Sequence, residues 1–219
     1  MGVLNSALPF SLIAYAANYL PAGYLAIVNS FVPLCSAILS YFFLKQKITL
    51  TLVCGLIAGT IGVSVVVGFG PVNINLNSFF AIICGLFGAF CYALSGVLTV
   101  KYFSNSSNIK ISFLSLSFAS FVMLPFLIID INEMKSASSV SWVSVIILGF
   151  LCTGLAYLIY FRLLNLLGPT ISSSVTFSVP VFGVLWGTLF LNETFTVAIG
   201  IGCFLVLLAS FLVFKNQKS

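Results

Sequence analysis

The sequence has no histidine and only three acidic residues, Asp130, Glu133 and Glu193, against eight Lys and Arg among 219 residues. Without histidine, no side chain titrates near neutrality in its ordinary state, which argues against a proton shuttle, an imidazole metal centre or a Ser-His nucleophile pair. Hydrolytic chemistry is therefore not expected, and the chain does not read as an enzyme. Charged residues are also scarce, at 5% of the chain, where a soluble domain carries about 25% to coat its surface. A net charge of +5 spread this thinly makes no patch dense enough to follow the phosphates of a nucleic acid. The six cysteines, Cys35, Cys54, Cys84, Cys91, Cys152 and Cys203, lie in apolar stretches without a C-x-x-C spacing, so they read as small buried hydrophobes. No metal or cofactor is expected.

What the chain does have is apolar length. Hydrophobic residues make up 61% of it, and mean hydropathy is +1.26. Runs such as Val53–Gly70 and Val197–Phe214 are continuous rather than alternating, the pattern of spanning helices and not of barrel strands. Breaks at Gly, Pro, Asn and charge give eight spans: Leu4–Leu20, Tyr24–Leu44, Leu50–Phe69, Asn77–Val100, Ile111–Ile129, Ser141–Phe161, Thr170–Leu191 and Phe195–Phe214. Sorting the charges by alternate loops puts Lys45, Lys47, Lys101, Lys110, Arg162, Lys215 and Lys218 on one side. Only Lys135, with the three acids, falls on the other. Cations accumulate in cytoplasmic loops, so the expectation is an all-α protein of eight transmembrane helices in the inner or plasma membrane, both termini cytoplasmic.

Sliding the chain against itself by 147 residues sets Ser30-Phe31-Val32-Pro33 against Phe177-Ser178-Val179-Pro180 and Phe43-Leu44 against Phe190-Leu191. Asn18 then meets Asn165, Leu20 meets Leu167, Val28 meets Val175, Thr49 meets Thr196 and Gly55 meets Gly202, without a gap. The linking loops Lys45–Thr49 and Asn192–Thr194 sort to opposite sides, so the two units are upside down relative to each other, an arrangement found in secondary transporters. Residues 1–70 hold three spans of the first unit and residues 77–215 all five of the second. The repeat is incomplete, three helices plus five, in a 5+5 plan.

The A-L-P-F of Ala7–Phe10, the L-P-A-G-Y-L-A-I-V-N of Leu20–Asn29, Pro33, and their counterparts Leu167-Gly168-Pro169-Thr170, Val179-Pro180 and Phe190-Leu191-Asn192-Glu193 together resemble the EamA family of the drug/metabolite transporter superfamily. The resemblance implies ten helices in two inverted units that move small metabolites, often outward, through a central cavity. On that pattern this chain is helices three to ten, lacking the first two. It departs from the family where Lys45-Gln46-Lys47 stands in place of the usual Glu of the first unit.

No Asp, Glu, Lys or Arg falls in the middle of an expected span, so an ion path through a buried charge is not expected. Neutral groups are left to line a cavity, because hydroxyls, amides and rings can hold a solute without the cost of desolvating a charge. The candidates are Tyr15, Asn29, Tyr92, Tyr157, Ser174, Thr176 and Trp186, within a wider polar set that includes Ser36, Ser95, Tyr160 and Ser172. Asn29 and Thr176 stand at matching positions, four residues before Pro33 and Pro180, and those prolines are the hinge candidates. Gly55-x-x-x-Gly59 and Gly183-x-x-x-Gly187 read as helix-packing stripes. The expected function is a permease for an amino acid, amine or drug-like solute, exporting by alternating access. The alternative is a truncated, non-transporting remnant or a partner subunit. Expected partners are the solute and the lipid bilayer, with a homo- or hetero-dimer left open.

Overall fold

A computed structural model describes residues 1–20, 22–67, 75–129, 138–190 and 196–215. Asp130, Glu133, Lys135, Glu193 and Lys218 lie outside the described residues, as do the surroundings of Gly183 and Gly187.

Among the described residues there is no strand. A π-helical turn, Val3–Ala7, leads into α1 (Leu8–Ala17), followed by α2 (Ala22–Asn29), α3 (Val32–Leu44), α4 (Leu50–Val67), α5 (Leu76–Phe103) and α6 (Asn108–Ile129). Next, α7 (Ser139–Ile147) passes through a π-helical stretch, Leu148–Leu155, into α8 (Ala156–Leu167). The last helices are α9 (Pro169–Ser173), joined by the 3-10 turn Ser174–Phe177 to α10 (Ser178–Phe190), and α11 (Val197–Lys215). Among the described residues six helical stretches are long and apolar enough to cross a membrane, and Val3–Ala17 and Leu50–Val66 are shorter apolar helices. Helices satisfy their own backbone polar groups, which lipid cannot do. The chain is an all-α membrane protein.

Helix ends follow local chemistry. Asn75 caps α5 by accepting from the Ser78 amide at 2.8 Å. Thr49 and Thr196, 147 residues apart, do the same for α4 and α11, accepting from Leu52 and Ile199 at 3.2 and 3.3 Å. One expectation needs correction. The sixth span does not end at Phe161: α8 runs on to Leu167 and stops at Gly168, whose φ of +82° only glycine adopts without strain, ahead of Pro169. Pro33 and Pro180 lie inside the apolar stretches Tyr24–Leu44 and Pro169–Trp186, each in the first turn of a helix. They are the second residue of α3 and the third of α10, because a first turn needs no amide hydrogen from that position. The chain breaks just ahead of each. In the first case the Phe31 amide bonds Val28 three residues back, at 3.1 Å; in the second stands the 3-10 turn ending at Phe177.

Among the described residues the most extensive helix pairing joins α4 and α11. A Cβ added at Gly202 would lie 2.6 Å from Val66 Cγ2 and 2.8 Å from the Gly62 carbonyl oxygen. One at Gly62 would lie 3.0 Å from the Gly202 carbonyl oxygen, and one at Gly55 would lie 3.1 Å from Val213 Cγ2 and 3.3 Å from the Ala209 carbonyl oxygen. As the number rises along α4 it falls along α11, so the two helices run antiparallel. Under the 147-residue offset, Gly55 with Ala209 exchanges with Gly62 with Gly202, and Gly55 with Val213 exchanges with Val66 with Gly202. Around this seam Leu52, Leu56, Val63, Phe177, Val206 and Val213 form one core cluster. On the other side, α5 lays Ala89, Ala93 and Val97 against Val32 and Leu39 of α3.

Candidate functional site

A seam of hydroxyls and rings runs where the first π-helical turn, α3, α5, α8 and α9 meet. Its first node is Tyr157 of α8, whose hydroxyl donates to the Asn5 carbonyl at 3.0 Å and accepts from Ser6 Oγ at 3.1 Å. These bonds cross more than 150 residues of sequence. From Tyr157 the rings continue to Tyr160, at 6.4 Å between centroids, and from Tyr160 to Tyr92 of α5, at 5.5 Å. Gly96 makes that crossing possible, since a Cβ there would sit 3.2 Å from the Tyr160 hydroxyl. A second node lies between α3 and α9, where Thr170 donates to Ser40 at 3.5 Å. Beside it the Ser36 and Ser172 hydroxyls are buried without hydrogen-bond partners. None of the described helices contains an Asp or Glu. The seam therefore offers donors, acceptors and ring faces, and no negative charge.

Of the residues singled out from sequence, the structure brings Tyr92 and Tyr157 together through Tyr160. Tyr15 is exposed and pairs with Tyr19 at 5.2 Å. Trp186 is exposed on α10. Asn29 ends α2 and is half-buried. Ser174 and Thr176 bond their own backbone, donating to the carbonyls of Ile171 at 2.7 Å and Ser173 at 2.9 Å. Residues that the sequence reading passed over are Asn5, Ser6, Ser40 and Thr170. The duplicated π-helical position, Val3–Ala7 against Leu148–Leu155, carries no sequence signal that would have found them.

Cavities of about 680 and 240 Å³ open along α6: the larger is lined by Met1, Gly2, Lys110, Ser115 and Phe118, the smaller by Ser6, Ser11, Ser120, Met123 and Thr153. The described cations gather at one end of the bundle. Lys101 lies over the Phe43 ring at 5.2 Å, next to Lys45 at the end of α3. There, Asn165 donates to Asn108 at 2.7 Å, tying the end of α8, with Arg162, to the start of α6, with Lys110. The antiparallel α11 brings Lys215 to the end of α4 that follows Lys47. Among the described residues no three His, Cys, Asp or Glu stand close enough to hold a metal.

The profile of the EamA-like transporter family matches residues 1–68 and 79–215. The chain belongs to this family. Among EamA relatives, the uncharacterized transporter YoaV of Bacillus subtilis is 23% identical over 215 residues, which cover 94% of this chain and 72% of its own length. YvbV of the same organism, also named an uncharacterized transporter, is 27% identical, covering 99% of this chain and 71% of its own. Protein PecM of Dickeya dadantii is 25% identical over 88% of this chain and 65% of its own. A solved crystal structure superposes with a TM-score of 0.78 over the full chain and 75% of its own length, at 16% identity; this likeness speaks to the fold alone. The EamA chain is thus a multi-pass membrane transporter by family.

Proposed function

We propose that this EamA chain is a permease that exports a small metabolite, an amino acid, amine or drug-like solute, across the inner or plasma membrane by alternating access. Two inverted units, residues 1–70 and 77–215, would rock about the seam where Tyr157 meets Asn5 and Ser6 and Thr170 meets Ser40, with Pro33 and Pro180 as the points of bending. The observation that carries this reading is the antiparallel pairing of α4 and α11, whose contacts exchange under the 147-residue offset. Two helices that match in sequence and run in opposite directions are what units of opposite orientation in a bilayer require. The family profile's separate matches to 1–68 and 79–215 support the same division.

The absence of acids from the described helices favours exchange or facilitated diffusion over proton coupling, which uses a buried ionisable group. The gathering of cations at one end favours a cytoplasmic position for that end and for both termini. The test is flux in vesicles of the purified chain loaded with a metabolite mixture. Saturable efflux unchanged by an imposed proton gradient is expected, and no saturable efflux of any component would overturn the reading.

A second reading, a non-transporting remnant or partner subunit, draws on one observation: Val175, Val179 and Phe182 on the second unit are exposed, although Val28, Val32 and Cys35 at matching positions are covered in whole or part. Flux that appears only when a second membrane protein is added would favour it.

A further inference from the structure

Resting on the transport reading above, we propose that Asn5 is the residue that recognises the solute, and that it takes an uncharged group presenting a hydrogen-bond donor and acceptor side by side, such as a carboxamide or lactam. Asn5 is fully buried, yet neither Nδ2 nor Oδ1 has a hydrogen-bond partner. A buried amide left unpaired costs free energy that folding has to offset, and in lipid no bulk water relieves it. If Asn5 served only the fold, an apolar side chain would leave no polar atom unpaired there.

The surroundings show why the amide is left over. Asn5 sits in the π-helical turn Val3–Ala7, a geometry concentrated at functional sites. Its main-chain carbonyl is taken by the Tyr157 hydroxyl, which is itself held by Ser6. That pins the turn against α8 and leaves the side chain unused. On the facing helix α6, the Ser112 and Ser115 hydroxyls are likewise buried and without partners, and Gly2, one turn before Asn5, packs directly on the Ser115 carbonyl. The cavity of about 680 Å³ is lined by Gly2, three residues before Asn5, and by Ser115, and the cavity of about 240 Å³ by Ser6 and Ala7.

The chemistry selects the ligand. A solute amide would meet Oδ1 with its N–H and Nδ2 with its carbonyl, so both free valences close at once. A carboxylate would set acceptor against Oδ1, and an ammonium would set donor against Nδ2. The second unit carries its π-helical stretch at the matching place, Leu148–Leu155, but there the residue matching Asn5 is Cys152. The π geometry is shared while the amide belongs to one unit, as a recognition residue requires and a common hinge does not.

The test uses the full chain purified in detergent, with thermal unfolding followed by tryptophan fluorescence in the presence of propionamide, 2-pyrrolidone, nicotinamide or nicotinate. At least one neutral amide should raise the midpoint of the wild type while nicotinate does not, and Asn5→Leu should weaken that response at least tenfold in ligand concentration. Asn5→Ser, which keeps a hydroxyl, supplies the comparison if the leucine variant does not fold. The proposal is overturned if no amide acts on the wild type, or if both variants respond as the wild type does. Vesicle flux separates the two readings. Unaltered flux in Asn5→Leu removes the recognition role and leaves transport standing, whereas absent wild-type flux removes transport while the midpoint shifts still decide whether Asn5 binds amides.

Discussion

Val32 and Val179 are the same residue at the same place in two similar helices, yet Val32 is 0% exposed and Val179 is 53% exposed. Leu39 and its counterpart Trp186 differ likewise, at 9% and 53%, and buried Pro9 corresponds to exposed Ala156. The cause is α5. It covers Val28 through Gly85, Pro9 and Leu12 through Gly88, and Val32 and Leu39 through Ala89, Ala93 and Val97. Among the described residues, no helix covers the matching face of the second unit. Burial in this fold is thus a property of what lies alongside, and equal side chains can pack against protein in one unit and face the surroundings in the other.

The greatest expected effect comes from the one seam where the two units meet as equals. Gly202→Ala drives a Cβ into Val66, including its backbone nitrogen at 2.7 Å, and should cost about 2–3 kcal/mol. Its partner Gly55→Ala meets side chains at 3.1 Å and should cost about 1 kcal/mol or less. Unfolding midpoints in detergent check the pair, and equal losses would overturn the difference in crowding between the two glycines. Next come the paired valines. Val32→Ala should lose about 1–2 kcal/mol through the packing it vacates, whereas Val179→Ala should stay within about 0.5 kcal/mol. A Val179 variant as costly as Val32 would mean that the second face is covered after all.

Smaller changes sharpen the comparison. Pro33→Ala and Pro180→Ala, both in first turns, should each cost about 0.4–1 kcal/mol by freeing the unfolded chain. If the prolines also serve as bending points, vesicle flux should fall severalfold in both, and flux equal to wild type would leave them purely local. Of similar size is Tyr157→Phe, which removes the bonds to Asn5 and Ser6 and should cost about 0.6 kcal/mol, the average for such bonds in membranes. Replacing Tyr15 by Phe touches no seam contact and should change the midpoint less; the reverse order would shift attention from Tyr157 to the exposed Tyr15–Tyr19 pair.

Much of the fold was legible because membrane insertion is governed by coarse quantities. Apolar run length separates the helices, and Gly168-Pro169 and the threonines before α4 and α11 punctuate them. The site was harder to read. Tyr92 and Tyr157 could be named as polar residues in apolar helices, but so could Tyr15 and Trp186, which face outward. Nothing local distinguishes a tyrosine turned toward a neighbour from one turned toward lipid, since lipid and helix interior are similarly apolar. Asn5 was missed for a related reason: it stands close to the start of its helix and reads as an end residue, while the contacts that bury it come from α6 and α8.

The sequence by itself determined that this chain is helical and that it lives in a bilayer. Each of these follows from local hydrophobicity, backbone hydrogen bonding and a pattern visible along one dimension. Only the tertiary structure decided that α4 and α11 close on each other through glycines, that α5 shelters one unit and not the other, and that Tyr157 holds the turn bearing Asn5. Those outcomes depend on steric fit between segments far apart in the chain. In an apolar medium, where every face is equally greasy, fit is what chooses partners.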